Sequence, residues 1–298
     1  MIQLGELAAL GAALCWALTA LFFAHAGARV GSLVVNFLRL VMAIAMLSAL
    51  GWALRGLPWP TDATPHAWLW LSISGLVGFT FGDLCLFRAL VMIGPRLGSL
   101  LMSFAPPFAA IIGWLVLGET LRLDQWFGMA LTMGGVAWAL SDRTPRGNGA
   151  PLDRRTLIIG VALGIGGALG QAGGLVLSKF GMADYDPFAA TQVRVLAGSV
   201  GFAVIFTVTR RWSRVRAAIR QRGAMLTTSA GAVFGPFLGV SLSLVAVQNT
   251  SAGVAASLMA ISPVLVIPIV VLWQRERVGL GGVLGTVLAV MGVIVLVR

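Results

Sequence analysis

Long apolar runs separated by short polar breaks constrain this sequence more than any other feature. A helix that crosses a bilayer needs about 20 mainly apolar residues at a rise of 1.5 Å per residue. The chain has 298 residues, of which 58% are hydrophobic and 10% charged, whereas soluble domains are about 45–50% apolar and about 25% charged. We therefore predict an all-α polytopic membrane protein and exclude a water-soluble globule.

Ten apolar segments have the length of spanning helices. They do not alternate in polarity as the strands of a transmembrane barrel do, and helices satisfy their own backbone groups within lipid. The predicted segments are 4–24, 33–54, 67–90, 97–117, 124–141, 156–179, 188–209, 224–247, 253–273 and 278–297. The first segment carries Glu6 and no basic leader, so we expect a mature spanning helix and no removable signal peptide.

The two halves of the chain repeat one pattern. A shift of 155 residues places Arg39 over Arg194, and a shift of 157 places Pro106 over Pro263. The shift of 157 also pairs Glu119 with Glu276, Gly128 with Gly285 and Gly135 with Gly292. An ordered set of matches across five helices indicates an internal repeat.

This repeat defines the predicted domain organisation. We expect a first five-helix repeat over 1–141, a linker rich in Pro, Gly and charge over 142–155, and a second five-helix repeat over 156–298. Because five is an odd number, the second repeat enters the bilayer upside down. Inverted repeats with a binding site at their interface are typical of secondary transporters.

The basic residues lie mostly on one side of the predicted membrane. A net charge of +11 in a soluble protein would suggest a nucleic-acid partner, but most of these residues fall between apolar runs, where topology and lipid headgroups explain them. Fourteen lie on the linker side and four on the side of the termini. The positive-inside rule places the linker and the 210–222 segment in the cytoplasm. That segment fits a short interfacial helix and a solvated loop equally well.

No motif for catalysis, metal or cofactor binding is present. The only lysine, Lys179, stands in Ser178-Lys179-Phe180, so no Walker phosphate loop exists and no ATPase subunit is implied. His25 and His66 have no HExxH arrangement. We expect no catalytic residue, no metal, no cofactor and no nucleic-acid partner.

Charged residues inside apolar runs are the first candidates for function, because ions within a membrane segment tend to face cavities or partners. Arg39 and Arg194 occupy matching places in the second helix of each repeat, where they either snorkel to the interface or contact substrate. Asp83 lies deeper, and its match at position 240 is Val240, so it serves either as a lock with an arginine or as a titrating carboxylate. Arg88 is expected to reach the interface.

Uncharged polar, aromatic and Met residues at matching positions extend the predicted binding site. Such side chains around a cavity suit solutes that are partly polar and partly apolar, although helix packing explains each residue taken alone. The candidates are Trp16, Asn36, Ser99, Met102, Ser103, Gln171, Gln192 and Met259.

Prolines mark the segments where we expect the helices to bend. Pro106 and Pro263 occupy matching places in the fourth helix of each repeat, and Pro236 and Pro268 lie in the eighth and ninth predicted segments. Proline removes a backbone hydrogen bond and kinks a helix. Matched interruptions in two halves favour a moving or binding region of a transporter, and static kinks are the alternative.

These residues resemble the drug/metabolite transporter superfamily in its EamA-domain branch. The resemblance rests on two five-helix repeats with matched prolines, on Leu117-Gly118-Glu119 and Arg275-Glu276-Arg277 after the fourth helices, and on the Gly-x6-Gly spacing of the fifth. Arg275 departs from the Gly expected there. The resemblance implies a multi-pass carrier of the bacterial inner membrane, similar to amino-acid exporters, including aromatic ones.

The sequence thus predicts a secondary transporter that exports small metabolites, with amino acids as the expected substrates. A cavity between the repeats would alternate its access between the two sides of the bilayer, and one chain holds both repeats, so a monomer suffices. The alternative is a membrane-embedded enzyme that acts on a lipid or polyprenyl substrate, which would require a metal or nucleophile constellation.

Overall fold

The computed structural model describes residues 3–141, 153–265 and 280–297, and the regular elements in these ranges are helical. We number the α-helices α1 to α13 and the two π-helical segments π1 and π2. They are α1 (Leu4–Val30), α2 (Ser32–Arg55), α3 (Pro65–Gly75), π1 (Leu76–Gly82), α4 (Asp83–Met102), α5 (Ala105–Leu117), α6 (Leu123–Ser141), α7 (Arg154–Met182), α8 (Pro187–Val208), α9 (Trp212–Ile219), α10 (Arg222–Ala232), π2 (Val233–Gly239), α11 (Val240–Asn249), α12 (Ala252–Met259) and α13 (Leu280–Leu296).

Six helical stretches within the described ranges are long and apolar enough to cross a membrane. They are Leu4–Val30, Ser32–Arg55, Pro65–Ile93, Arg154–Met182, Pro187–Val208 and Arg222–Asn249. Three shorter apolar helices accompany them, Ala105–Leu117, Ala252–Leu265 and Leu280–Leu296. The predicted all-α membrane class is confirmed, whereas the count of ten spans stays a prediction.

Many small residues are buried between helices, and many large apolar residues lie on the outer surface. Ala9, Ala12 and Ala13 of α1 are fully buried, while Leu123 is 88% exposed and Leu280 is 83% exposed. Small residues allow helix backbones to approach closely in a membrane. Large apolar residues on the outer surface match a hydrocarbon environment and not water.

The fifth helices of the two halves pack against each other through the predicted glycine motif. A Cβ on Gly135 would lie 2.6 Å from the carbonyl oxygen of Gly285, and a Cβ on Gly292 would lie 2.8 Å from that of Gly128. Since only glycine permits this approach, α6 and α13 are held in direct backbone contact. The two helices run antiparallel, because Gly128 contacts Gly292 and Gly135 contacts Gly285.

Two π-helical segments interrupt long helices at matching places. The segment π1 covers Leu76–Gly82 and π2 covers Val233–Gly239, and both ends of the two segments differ by 157 residues. Pro236 lies inside π2, where its missing N–H accounts for part of the irregularity. The expected bend at Pro236 therefore takes the form of a π-helix, a feature that is frequent at functional sites.

The structure corrects the prediction that Pro106 kinks a continuous helix over 97–117. The chain makes a turn at Ser103 and Phe104, and α5 begins at Ala105, so Pro106 lies in its first turn. Proline is favoured there because N–H groups in the first turn have no partner within the helix. The second half has the same break at 260–261 ahead of Pro263, and Pro268 lies outside the described residues.

The polar segment 210–222 contains the helix α9. Of the short helix and the solvated loop predicted for this segment, the structure shows the helix. Val215 and Ala218 of α9 are buried against α2 and α8. The Trp212 ring packs edge-on against Phe37, with 5.5 Å between the ring centroids. The apolar face of α9 is therefore covered by the bundle, while its arginines stay at the surface.

Candidate binding cavity

A cavity of about 350 Å³ lies between the two halves of the bundle. This volume falls within the range of roughly 300–1,000 Å³ that is usual for small-molecule sites. Its walls come from both π segments, the two helix breaks and eight helices, α1, α2, α4, α5, α7, α8, α11 and α12. The lining residues are Trp16, Thr19, Ala20, Arg39, Phe79, Asp83, Met102, Ser103, Ala105, Pro106, Gln171, Ala172, Leu175, Arg194, Gly235, Val240, Ser243, Ala256, Met259, Ala260 and Pro263.

Asp83 is the centre of a buried charged cluster in this cavity. Its carboxylate forms an ion pair with Arg39 from α2 and accepts a hydrogen bond of 2.9 Å from Nε2 of Gln171. Only 7% of the Asp83 side chain and 12% of the Arg39 side chain are exposed. The cluster joins α2, α4 and α7, so it links both halves of the chain. This geometry gives Asp83 the arginine partner that a lock requires, and both roles that the sequence left open for Asp83 stay predictions.

Arg194 matches Arg39 in sequence but has a different environment. The residue is 5% exposed, and its Cζ lies 5.1 Å from the centroid of the Phe79 ring. Within the described part of the chain its Nε has no hydrogen-bond partner, and no carboxylate lies within ion-pair distance. The position that matches Asp83 is Val240. Among the described residues, the cavity wall therefore contains two arginines and one carboxylate.

Aromatic and aliphatic side chains form the rest of the cavity wall. Trp16 lies against π2, where a Cβ on Gly239 would be 2.7 Å from the indole nitrogen. Met102, Met259 and Phe79 add large apolar surface. Phe79, Thr19 and Ser243 also line the cavity, and none of them is among the residues predicted from the sequence. Phe79 has no residue of similar kind at its matched position, so symmetry gave no signal for it.

Two of the predicted binding residues whose side chains the structure describes are not part of this wall. Gln192 is 2% exposed and donates hydrogen bonds of 2.9 Å to the Ser48 hydroxyl and 2.8 Å to the Pro58 carbonyl, so it fixes α8 to α2. Asn36 is buried in α2 away from the cavity. The side chain of Ser99 lies outside the described residues. The other eight predicted binding residues converge on the cavity.

The side of the molecule that carries the chain termini is held together by an ion-pair network. Lys179 Nζ lies 2.6 Å from Glu119 Oε1 and donates a hydrogen bond of 2.6 Å to the Thr250 carbonyl. Glu119 Oε2 accepts a hydrogen bond of 2.8 Å from the backbone N–H of Ala252. Through these contacts the loop after α5, the end of α7 and the start of α12 are joined.

A second network on the same side surrounds the only tyrosine of the sequence. Tyr185 donates a hydrogen bond of 2.8 Å to Asp62, and Asp62 also forms an ion pair with Arg55. Burial and the hydrogen bond to Asp62 raise the pKa of Tyr185 to about 12. Burial also raises the pKa of Asp62, but the hydrogen bonds from Tyr185 and Arg55 outweigh it, so the net pKa lies below its usual value.

Among the described residues, no group of three or more His, Cys, Asp or Glu side chains could hold a metal ion. Cys15 and Cys85 are free thiols.

Comparison with known proteins adds family membership to this geometry. The model of the EamA-like transporter family matches residues 3–141 and again residues 158–298. The chain belongs to the EamA-like transporter family. This membership places it in the drug/metabolite transporter superfamily and makes it a multi-pass membrane protein of a transporter family. The two EamA matches together cover nearly the whole chain and leave out residues 142–157 between them.

Similar proteins agree with the EamA assignment. An "Uncharacterized transporter in cobO 3'region" from Sinorhizobium sp. is 32% identical over 120 residues, which is 40% of this chain and 84% of that protein. A solved crystal structure of another protein superposes with a TM-score of 0.79 at 20% identity, over 98% of this chain and 95% of the other. At that identity the likeness concerns the fold alone.

Proposed function

We propose that this EamA family member is a secondary transporter that exports small metabolites, with amino acids, including aromatic ones, as the first class to test. The observation that carries the proposal is the cavity of about 350 Å³ between the two halves. It combines an apolar wall with a charged cluster, as a site for partly polar solutes requires. Secondary transporters bind substrate at this position, between their repeats.

The direction of the helices supports a pair of inverted repeats. The first helix, α1, runs antiparallel to the stretch from α10 to α11, since Gly5 packs against Asn249 and Phe23 packs against Gly231. Gly5 lies at the start of α1 and Asn249 at the end of α11.

The first helix of the second half, α7, packs against the first half in the equivalent way. The helix α7 runs antiparallel to the stretch from α3 to α4, since Gly181 packs against Leu71 and Gly167 packs against Leu86. A pair of matched, reciprocal contacts is what a two-fold axis between the halves produces. An axis of this kind in the membrane plane relates inverted repeats.

Alternating access between these repeats requires contacts that close one side. The Glu119–Lys179 network and the Tyr185–Asp62 network both lie on the side of the termini. We propose that they hold this side shut in the described conformation, and that they separate when the cavity opens there. The π segments and the helix breaks at 103–104 and 260–261 are the places where the wall changes shape.

The membrane and the orientation belong to the same proposal. The fourteen basic residues on the linker side, against four on the side of the termini, support a cytoplasmic linker in the bacterial inner membrane. A cysteine at Ala217, on the outer part of α9, would then react with an impermeant maleimide only after the cells are opened. Labelling in intact cells would show that α9 faces the outside and would contradict the proposed orientation.

Transport is tested by reconstitution. The purified chain is placed in liposomes, and counterflow of labelled amino acids and other small metabolites is measured against protein-free liposomes. We expect saturable counterflow for at least one class. The absence of saturable flux for all classes in the panel would contradict the proposed function.

A further inference from the structure

The charges of the cavity wall do not balance. Arg39 is paired with Asp83, so its charge is compensated inside the protein. Arg194 lines the same cavity with 5% of its surface exposed. Within the described residues it forms no ion pair of its own, and the carboxylate that attracts its charge, Asp83, is already paired with Arg39. A buried cation without a counterion of its own is costly, so such a group is expected to meet an anion during function.

The pseudo-symmetry of the chain shows which counterion is missing. A shift of 155 residues relates Arg39 to Arg194, and a shift of 157 relates Asp83 to Val240. Val240 lies in the wall of the same cavity and is 8% exposed. The first half therefore pairs Arg39 with Asp83, whereas the second half has the apolar Val240 at the position that corresponds to Asp83.

The local structure holds the Arg194 side chain at the cavity instead of letting it reach the lipid surface. Its guanidinium lies over the Phe79 ring at 5.1 Å. A Cβ on Gly78 would lie 3.3 Å from Nη2, so the glycine leaves room for the guanidinium beside π1. A planar guanidinium on an aromatic ring keeps its edge free for an oxyanion.

We propose that the cavity binds small organic anions, and that Arg194 is the residue that receives their acidic group. This inference rests on the proposed transport function and names its substrate class. The neighbouring ring of Phe79 and the side chains of Trp16, Met102 and Met259 receive the apolar body of the anion. A cationic amine finds no free carboxylate among the described wall residues, because Asp83 is already engaged by Arg39 and Gln171.

The test uses ligands that share a skeleton and differ in charge. Binding to the full chain in nanodiscs is measured by calorimetry for 3-phenylpropionate, phenylalanine, phenethylamine and 3-phenylpropanol, and for the corresponding indole and short aliphatic series. We expect the anion to bind at least tenfold more tightly than the amine in at least one series. Equal or tighter binding of the amines, or no binding of any anion, would overturn the inference.

Two sets of variants attribute the preference to Arg194. Arg194→Gln should lose at least tenfold in affinity for the anion, whereas Arg194→Lys keeps the charge and should retain most of it. Val240→Asp gives Arg194 an internal counterion and should also lose at least tenfold, while its uncharged control Val240→Asn stays close to the unmodified chain. Equal affinities of the two Val240 variants would overturn the inference, even if Arg194→Gln fails to fold.

The outcome is separable from that of the transport proposal. Saturable counterflow of amines or zwitterions that equals or exceeds that of the matched anions would overturn the anion inference and leave transport standing. Absence of flux for every charge class would contradict the proposed function itself.

Discussion

Replacement of Asp83 by asparagine removes the carboxylate that pairs with Arg39 in the cavity wall and leaves Arg39 buried without its counterion. Loss of one partner of a buried ion pair costs about 3–5 kcal/mol, and both side chains here are nearly enclosed, with 7% and 12% exposed. The asparagine oxygen can still accept the hydrogen bond from Gln171, so we expect about 3 kcal/mol, at the low end. At roughly 2 °C per kcal/mol for a chain of this size, the melting temperature falls by about 6 °C.

The assay is thermal unfolding of the purified chain in detergent, followed by size-exclusion chromatography of heated samples. The matched control is Arg88→Gln, which changes an exposed charge on the same helix and should leave the melting temperature nearly unchanged. The double variant Arg39→Gln with Asp83→Asn removes both charges and should be more stable than Asp83→Asn alone. If the double variant loses the sum of the two single losses in melting temperature, Arg39 and Asp83 are not coupled as an ion pair.

Three further predictions concern the packing and the terminus-side networks. Gly135→Ala places a Cβ 2.3 Å from a backbone nitrogen of α13, whereas a Cβ on the neighbouring Gly134 meets nothing within 4 Å. We therefore expect Gly135→Ala to lower the melting temperature by several degrees and Gly134→Ala to leave it unchanged. Equal effects of the two variants would contradict the glycine contact. The phenolate difference absorbance of Tyr185, the only tyrosine, should titrate near pH 12 and move towards pH 10 in Asp62→Asn, while an unmoved midpoint would refute the hydrogen bond. Glu119→Gln removes the charge that faces Lys179. We expect an impermeant maleimide added on the side of the termini to label a cavity cysteine several-fold faster in this variant. An unchanged labelling rate would show that the Glu119–Lys179 ion pair does not hold this side closed.

The Tyr185 network also gives a pH dependence whose sign follows from the two pKa shifts. The pKa of Tyr185 is raised to about 12 in the folded chain, so its contribution to stability is present below pH 10 and is lost as the pH rises through 12. The pKa of Asp62 is lowered, so its contribution is present above its usual pKa of 3.8 and is lost as the pH falls below that value. Between these limits the network persists.

The helices and their repeat were predictable because they depend on local composition. An apolar run of about 20 residues specifies a membrane helix whatever surrounds it. The glycines of α6 and α13 were visible as a repeated spacing, although the spacing alone did not show that the two motifs contact each other. Pro236 marked the position of π2, but π1 has Phe79 in the matching place and no proline, so no proline in the sequence marked its position.

The site was predictable in its members more than in its arrangement. A charge inside an apolar run is conspicuous in sequence, and Arg39, Asp83 and Arg194 all lie at the cavity. Their partners depend on which helices cross and at what depth, which no local pattern contains. Gln192 illustrates the limit: an amide next to a matched threonine suggested a binding role, and the structure gives it hydrogen bonds that join two helices.

Blocking the cavity tests directly whether substrate passes through it. Ala20 lines the cavity and is exposed to it, so Ala20→Trp fills the space, while Ala53→Trp adds the same bulk at an exposed position of α2. In counterflow with reconstituted protein, we predict that Ala20→Trp loses at least tenfold in the rate of saturable flux and that Ala53→Trp keeps the rate of the unmodified chain. Undiminished flux through a folded Ala20→Trp variant would contradict the account.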